Sequence, residues 1–176
     1  DFGRLFDVNL TYNKASWVLH MLRGVLGDTT FFEVVRAYRA DPRFAYGTAT
    51  TEDFESIAEG VSGRDLTGYF ARWIYAPYFP AYLVDFSAAP DAGGWRVDLS
   101  IEQLQTQGLY AMPIRSRVAT DAGSVDFVLQ DSLAIQSFTL QTAAEPRSVS
   151  LDPEQWILCT VESALRGPSF DRGVLL

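Results

Sequence analysis

One histidine and one cysteine in 176 residues leave this chain few means of holding a metal by itself. A HExxH zinc helix presents two histidines on one face, and His20 stands alone. Cys159, the single cysteine, excludes an intrachain disulfide and any thiolate zinc cluster. Basic runs are missing too. With 14 basic against 22 acidic residues, a net charge of -8 and a pI near 4.5, the chain repels a phosphate backbone, so no nucleic-acid partner is expected. The apolar stretches fall well short of the roughly 18 residues that cross a bilayer, and no charged start with an apolar h-region opens the chain. No transmembrane segment is therefore expected. The lack of disulfides leaves the compartment open, since a bacterial cytoplasm and export both suit such a composition. Asp1 stands where an initiator Met would, inside what reads as running structure, which suggests a processed product or an excised piece.

What the chain does have is a core: 48% hydrophobic and 14% aromatic residues exclude a disordered tail. Its first half follows the helical period. Trp17, Met21, Leu22 and Val25 recur at helical spacing between Tyr12 and Leu26, and Gly27 suits a left-handed C-terminal cap. Asp28 or Thr29 can cap a second helix to about Ala40, with Phe31, Val34, Val35 and Tyr38 as its buried stripe and Asp41-Pro42 as its stop. Thr50 and Asp53 have capping-box spacing ahead of Phe54, Ile57, Ala58 and Val61. Asp65 suits the N-cap of a fourth helix carrying Leu66, Tyr69, Phe70, Trp73 and Ile74, which stops before Pro77.

After Pro80 the period becomes two. Tyr82, Val84 and Phe86 alternate, as do Trp95, Val97, Leu99 and Ile101, with Pro90 to Gly94 as the turn between them. Further strand-like runs are Ile114 to Ala119, Val125 to Leu129, Leu133 to Leu140, Ser148 to Leu151 and Gln155 to Leu158. The expectation is an α+β chain of two domains: a helical bundle of about four helices over residues 1–79, then an antiparallel immunoglobulin-like β-sandwich over residues 80–176.

The segment Tyr12-Asn13-Lys14-Ala15, with Leu26-Gly27-Asp28, Thr50-Thr51-Glu52-Asp53-Phe54, Ser62-Gly63-Arg64-Asp65-Leu66 and Phe70-Ala71-Arg72-Trp73 in that order, resembles the aminopeptidase N-like (gluzincin) zinc peptidases. These motifs look like the family's Tyr-x-Lys-Gly stretch, Leu-Gly-Asp turn, Thr-Thr-x-Asp-Phe helix start, Ser-Gly-x-Asp-Leu turn and Phe-x-x-Trp helix. The sequence departs from the pattern at Ala15, where many members have Gly, and at Phe79, where Gly usually precedes Pro. More weakly, Pro80-Ala81-Tyr82, Ile101 to Gln105, Met112-Pro113-Ile114 and Leu151 to Leu158 resemble the small sandwich that follows the family's catalytic domain.

The resemblance implies the end of a catalytic domain plus that sandwich, in a parent enzyme that cleaves peptide bonds as an aminopeptidase. It implies zinc in the parent and none in this chain, with ligands and general base in an upstream catalytic half that is also its packing partner. Tyr12 matches the family's catalytic tyrosine, whose phenol O–H donates to the oxyanion of the tetrahedral intermediate. The isolated chain is then expected to be inactive, and its bared face to invite a homodimer.

Read without the resemblance, a Tyr in the first turn of a helix is more often a packing or capping residue. Lys14 points elsewhere at two residues' spacing and reads as a salt-bridging or solvated side chain. His20, among Leu19, Met21 and Leu22, reads as a packed, hydrogen-bonded histidine. Trp73, Tyr75, Tyr78, Phe79 and Tyr82 read as an interface filling, or else as a stacking platform for a glycan or peptide. That platform motivates the alternative function, a non-catalytic module binding a peptide, glycan or protein partner. Cys159 reads as a small buried residue, and Glu33, Glu52, Asp53 and Glu102 as solvated carboxylates at helix starts and strand faces.

Overall fold

Helices give way to strands near Pro77 in the computed structural model of the chain, which describes residues 7–163. Two units result, Asp1–Pro77 and Tyr78–Leu176. In the first, a π-helical turn (Val8–Asn13) leads into α1 (Lys14–Leu26), followed by α2 (Asp28–Ala40), α3 (Thr51–Ser62) and the short α4 (Thr67–Phe70), which runs into a second π turn (Ala71–Tyr75). Leu22 and Leu26 of α1, Phe31 and Val34 of α2, Ala58 of α3, and Leu66 and Phe70 at α4 form one buried cluster. The helical stripes read from the sequence supply most of it. Val35 and Val61, expected on those stripes, are 38% exposed. Among the described residues no helix is long and apolar enough to cross a membrane.

Helix ends follow local chemistry, with three corrections. The capping box at α3 is formed: Thr50 Oγ1 accepts the Asp53 N–H at 3.2 Å while the Asp53 carboxylate accepts the Thr50 N–H at 2.8 Å. The expected left-handed cap falls at Gly63 (φ 66°, ψ 18°), whereas Gly27 has positive φ but extended ψ (79°, 159°). Gly27 serves two helices at once, donating its N–H to Arg23 O at 2.8 Å and accepting from Phe31 N at 3.0 Å. No side chain caps α2; Asp28 instead takes two 2.8 Å bonds from the Arg23 guanidinium. Leu66, not Asp65, holds the N-cap of α4, and its N–H is taken by Glu59 Oε1 at 2.8 Å while Asp65 Oδ1 accepts from Thr67 N at 3.0 Å.

Among the described residues the second unit has seven strands: β1 (Ala81–Asp91), β2 (Gly94–Gln103), β3 (Met112–Thr120), β4 (Gly123–Asp131), β5 (Ile135–Thr142), β6 (Pro146–Leu151) and β7 (Thr160–Ser163). They form a sheet of order β5-β2-β1-β7 and a sheet of order β4-β3-β6. Alternation decides which face is buried: Tyr82, Val84 and Phe86 on β1 and Val97, Leu99 and Ile101 on β2 are all inward. Gly94 has no substitute, because a Cβ there would lie 2.3 Å from the Thr142 carbonyl oxygen.

Two strand expectations fail at the same place. Gln155 to Leu158 forms no strand, because the Asp152 carboxylate gathers the N–H groups of Trp156 (2.9 Å) and Ile157 (2.7 Å) into a turn with positive φ at Asp152 and Gln155. The seventh strand comes later and pairs with β1 in parallel, Ala81 facing Thr160. The sheets are therefore mostly, not wholly, antiparallel. A parallel partner requires a long crossover, here supplied by five intervening strands.

One buried polar network pins the loop between β2 and β3. Gln103 Nε2 donates to Tyr110 O (2.8 Å) and Asp131 Oδ2 (2.7 Å), while Gln103 Oε1 accepts from Tyr110 N (2.9 Å) and Gln105 Nε2 (2.7 Å). Asp131 is 1% exposed, and its Oδ1 has no hydrogen-bond partner. Burial pushes its carboxyl up to about 6, against the opposing pull of the Gln103 bond. A raised folded-state value means the neutral form is favoured on folding, so this stabilisation is complete below the unfolded value near 3.8 and is lost as pH rises through about 6. A rise of that size is worth roughly 3 kcal/mol. Asp131→Asn, which keeps an acceptor for Gln103, is expected to be more stable than the parent at pH 7 and to flatten the stability profile between pH 4 and 7. Chemical denaturation across that range checks this; an unchanged slope contradicts it.

Candidate functional site

Tyr12 lies one residue before the end of the first π turn, at the junction with α1. The turn is braced from both sides: Thr11 N donates to Asp7 O at 2.9 Å, Asn9 N to Asp7 Oδ1 at 2.9 Å, and Asn13 Nδ2 to Asn9 Oδ1 at 2.9 Å. Ser16 Oγ donates to the Tyr12 carbonyl at 2.9 Å, carrying the bracing into the helix. A π turn widens the helix by one residue, and such turns recur at functional sites. Sequence periodicity gives no sign of it.

Tyr12 presents its ring to solvent, 53% exposed. Val8 (62%) and Leu19 (42%), four residues before and seven after it, are exposed on the same side. Lys14 goes the other way, donating from Nζ to the Ala76 carbonyl at 3.3 Å in a partly buried contact. That differs from the salt-bridging or solvated side chain expected. His20 meets Trp17 edge-on, ring centroids 5.5 Å apart, and is half-buried, in line with the packing role read for it.

The aromatic residues do not act as one platform. Trp73 (1% exposed) and Tyr82 (0%) are core residues of the helical and strand units, while Tyr75, Tyr78 and Phe79 are exposed. Tyr75 donates its phenol to Glu52 Oε1, which holds the Glu52 carboxyl below its usual range. Glu52 and Asp53 are thus engaged rather than merely solvated. Burial pushes the Cys159 thiol up to about 12, which disarms it as a nucleophile.

Among the described residues no group of three or more His, Cys, Asp and Glu is placed to hold a metal ion. At the junction with α1 stands an exposed phenol on a braced turn.

Residues 1–73 match the Peptidase family M1 domain. Aminopeptidase N of Lactococcus lactis subsp. lactis is 30% identical over 80 residues, 46% of this chain and 9% of that protein. Leucyl aminopeptidase of Saccharolobus solfataricus is 28% identical over 120 residues, 65% and 14%. The tricorn protease-interacting factor F2 of Thermoplasma acidophilum is 27% identical over 139 residues, 77% and 17%. The chain thus spans between 9% and 17% of the length of these relatives. The crystal structure of Legionella pneumophila aminopeptidase A in complex with aspartic acid has a similar fold: its TM-score is 0.72 at 20% identity, over 91% of this chain and 19% of that one. Residues 1–73 are thus similar to the Peptidase family M1 domain, and the chain is similar to a stretch of aminopeptidases such as aminopeptidase N.

Proposed function

We propose that this chain is the end of a zinc aminopeptidase's catalytic domain followed by an immunoglobulin-like sandwich, and that its chemical contribution is Tyr12. The observation that carries the reading is the placement of an exposed phenol on a braced π turn, inside the residues that match the M1 peptidase domain. When a peptide carbonyl becomes tetrahedral its oxygen gains charge, and a donor aimed at that oxygen favours the transition state over the ground state. The Tyr12 O–H is that donor. Zinc ligands and general base are assigned to sequence upstream of Asp1, since among the described residues no group of three or more His, Cys, Asp and Glu is placed to hold a metal ion. The same upstream half is the proposed cover for the exposed stripe of Val8, Tyr12 and Leu19. The immunoglobulin-like reading rests on the seven strands of the described residues, in sheets of four and three, with the connections after β2, β4, β5 and β6 each crossing between sheets as in a Greek key.

The test compares this chain with the complete polypeptide. The 176-residue chain is expected to hold no stoichiometric zinc and to cleave no aminoacyl substrate, while the complete polypeptide does both. One tightly held zinc on the short chain, or a complete polypeptide without metal and hydrolysis, contradicts the proposal. The second outcome would favour a non-catalytic binding module, for which the exposed Tyr75, Tyr78 and Phe79 are the candidate contact residues.

A further inference from the structure

We infer that Lys14 is a positioning residue that sets the outward aim of Tyr12, an assignment that rests on the oxyanion role proposed above. The two residues are two positions apart across the π-to-α junction, and at about 100° per residue they lie on nearly opposite sides of the helix. Holding one side inward turns the other outward. Lys14 Nζ is held by the Ala76 carbonyl, 62 residues away in sequence, at 3.3 Å. That carbonyl sits at the C-terminal end of the second π turn, where the Ala76 N–H closes the turn on Ala71 O at 3.0 Å. Carbonyls at a helix C-terminus lack intrahelical partners and carry the negative end of the helix dipole, so an ammonium is a favoured ligand there.

Within the first turn and the adjoining helix start, bonds from Thr11 to Asp7, Asn13 to Asn9 and Ser16 to Tyr12 fix the local shape. Tyr69 Oη anchors the middle of α1 on the Val18 carbonyl at 2.6 Å, and Lys14 anchors its N-terminal end on the Ala76 carbonyl. A lysine two residues after a catalytic tyrosine acts, on this geometry, as its rotational stop.

The test has two arms. On the 176-residue chain, amide hydrogen exchange at Thr11, Tyr12 and Asn13 is expected to quicken about tenfold in Lys14→Met, since a bond from a charged donor is lost. Lys14→Arg, which can still donate to the Ala76 carbonyl, should restore the parent rate. On the complete polypeptide, Lys14→Met should lower kcat by about 10- to 100-fold with little change in KM, the order of loss that a small misplacement of a reacting group produces. It should cost almost nothing further in a Tyr12→Phe background. Unchanged exchange in Lys14→Met, failure of Lys14→Arg to restore it, or fully additive losses in kcat would overturn the assignment. If Tyr12→Phe itself leaves kcat intact, the oxyanion reading fails instead, and the exchange arm still decides whether Lys14 holds the turn.

Discussion

Replacing Tyr12 by Phe in the complete polypeptide is expected to lower kcat by about 10²- to 10³-fold while KM changes by no more than a few-fold, the loss typical of a deleted oxyanion donor. The variant removes one oxygen from a ring that is 53% exposed. No cavity opens and no core contact is lost, so thermal stability should stay level with the parent. The turn that carries the residue is held through the Tyr12 backbone carbonyl, the Asn9 and Asn13 side chains and Asp7, none of which the change touches. A large kinetic effect without a stability effect separates chemistry from packing. Steady-state kinetics on an aminoacyl substrate, with melting curves alongside, provides both readouts; kcat within threefold of the parent removes Tyr12 from the mechanism.

Trp73→Ala has the opposite signature. The indole is 1% exposed, lies 6.4 Å from the Tyr69 ring and follows Phe70 of the buried cluster on the run from α4 into the second π turn. Truncating a buried Trp costs about 3–5 kcal/mol, a large share of the 5–15 kcal/mol by which a typical domain is stable. Urea denaturation should show the helical unit losing most of its margin. Were Trp73 a stacking platform for a partner, truncation would abolish partner binding and leave the unfolding midpoint within a few tenths of a molar; that outcome would return the module reading to the front.

How far the sequence could be read depended on how local the determining chemistry was. Thr50 and Asp53 form their capping box across three residues, and the alternating Tyr82, Val84 and Phe86 need only the strand period. Both were legible. Gln155 to Leu158 was not, because a run of apolar residues does not reveal that the Asp152 carboxylate folds it into a turn. The π turns left no periodic trace, since a single wide turn is shorter than the window in which a period can be recognised. Longer-range pairings were out of reach. Gln103 meets Asp131 across 28 residues, and Lys14 meets Ala76 across 62, and no local preference encodes either partner. At the candidate site, the identity of Tyr12 came from motif order, while the direction of its ring and the bracing of its turn came only with the fold.

The measurement that bears most directly on the oxyanion role is the affinity of the complete polypeptide for a tetrahedral phosphinic peptide, compared between the parent and Tyr12→Phe. A donor matched to the transition state should tighten that analogue far more than the substrate. The expected result is binding weakened about 100-fold or more in the variant, in proportion to the fall in kcat/KM, with substrate KM nearly unchanged. Equal affinity of the two proteins for the analogue would contradict the role assigned to Tyr12 and, with it, the mechanism proposed for this chain.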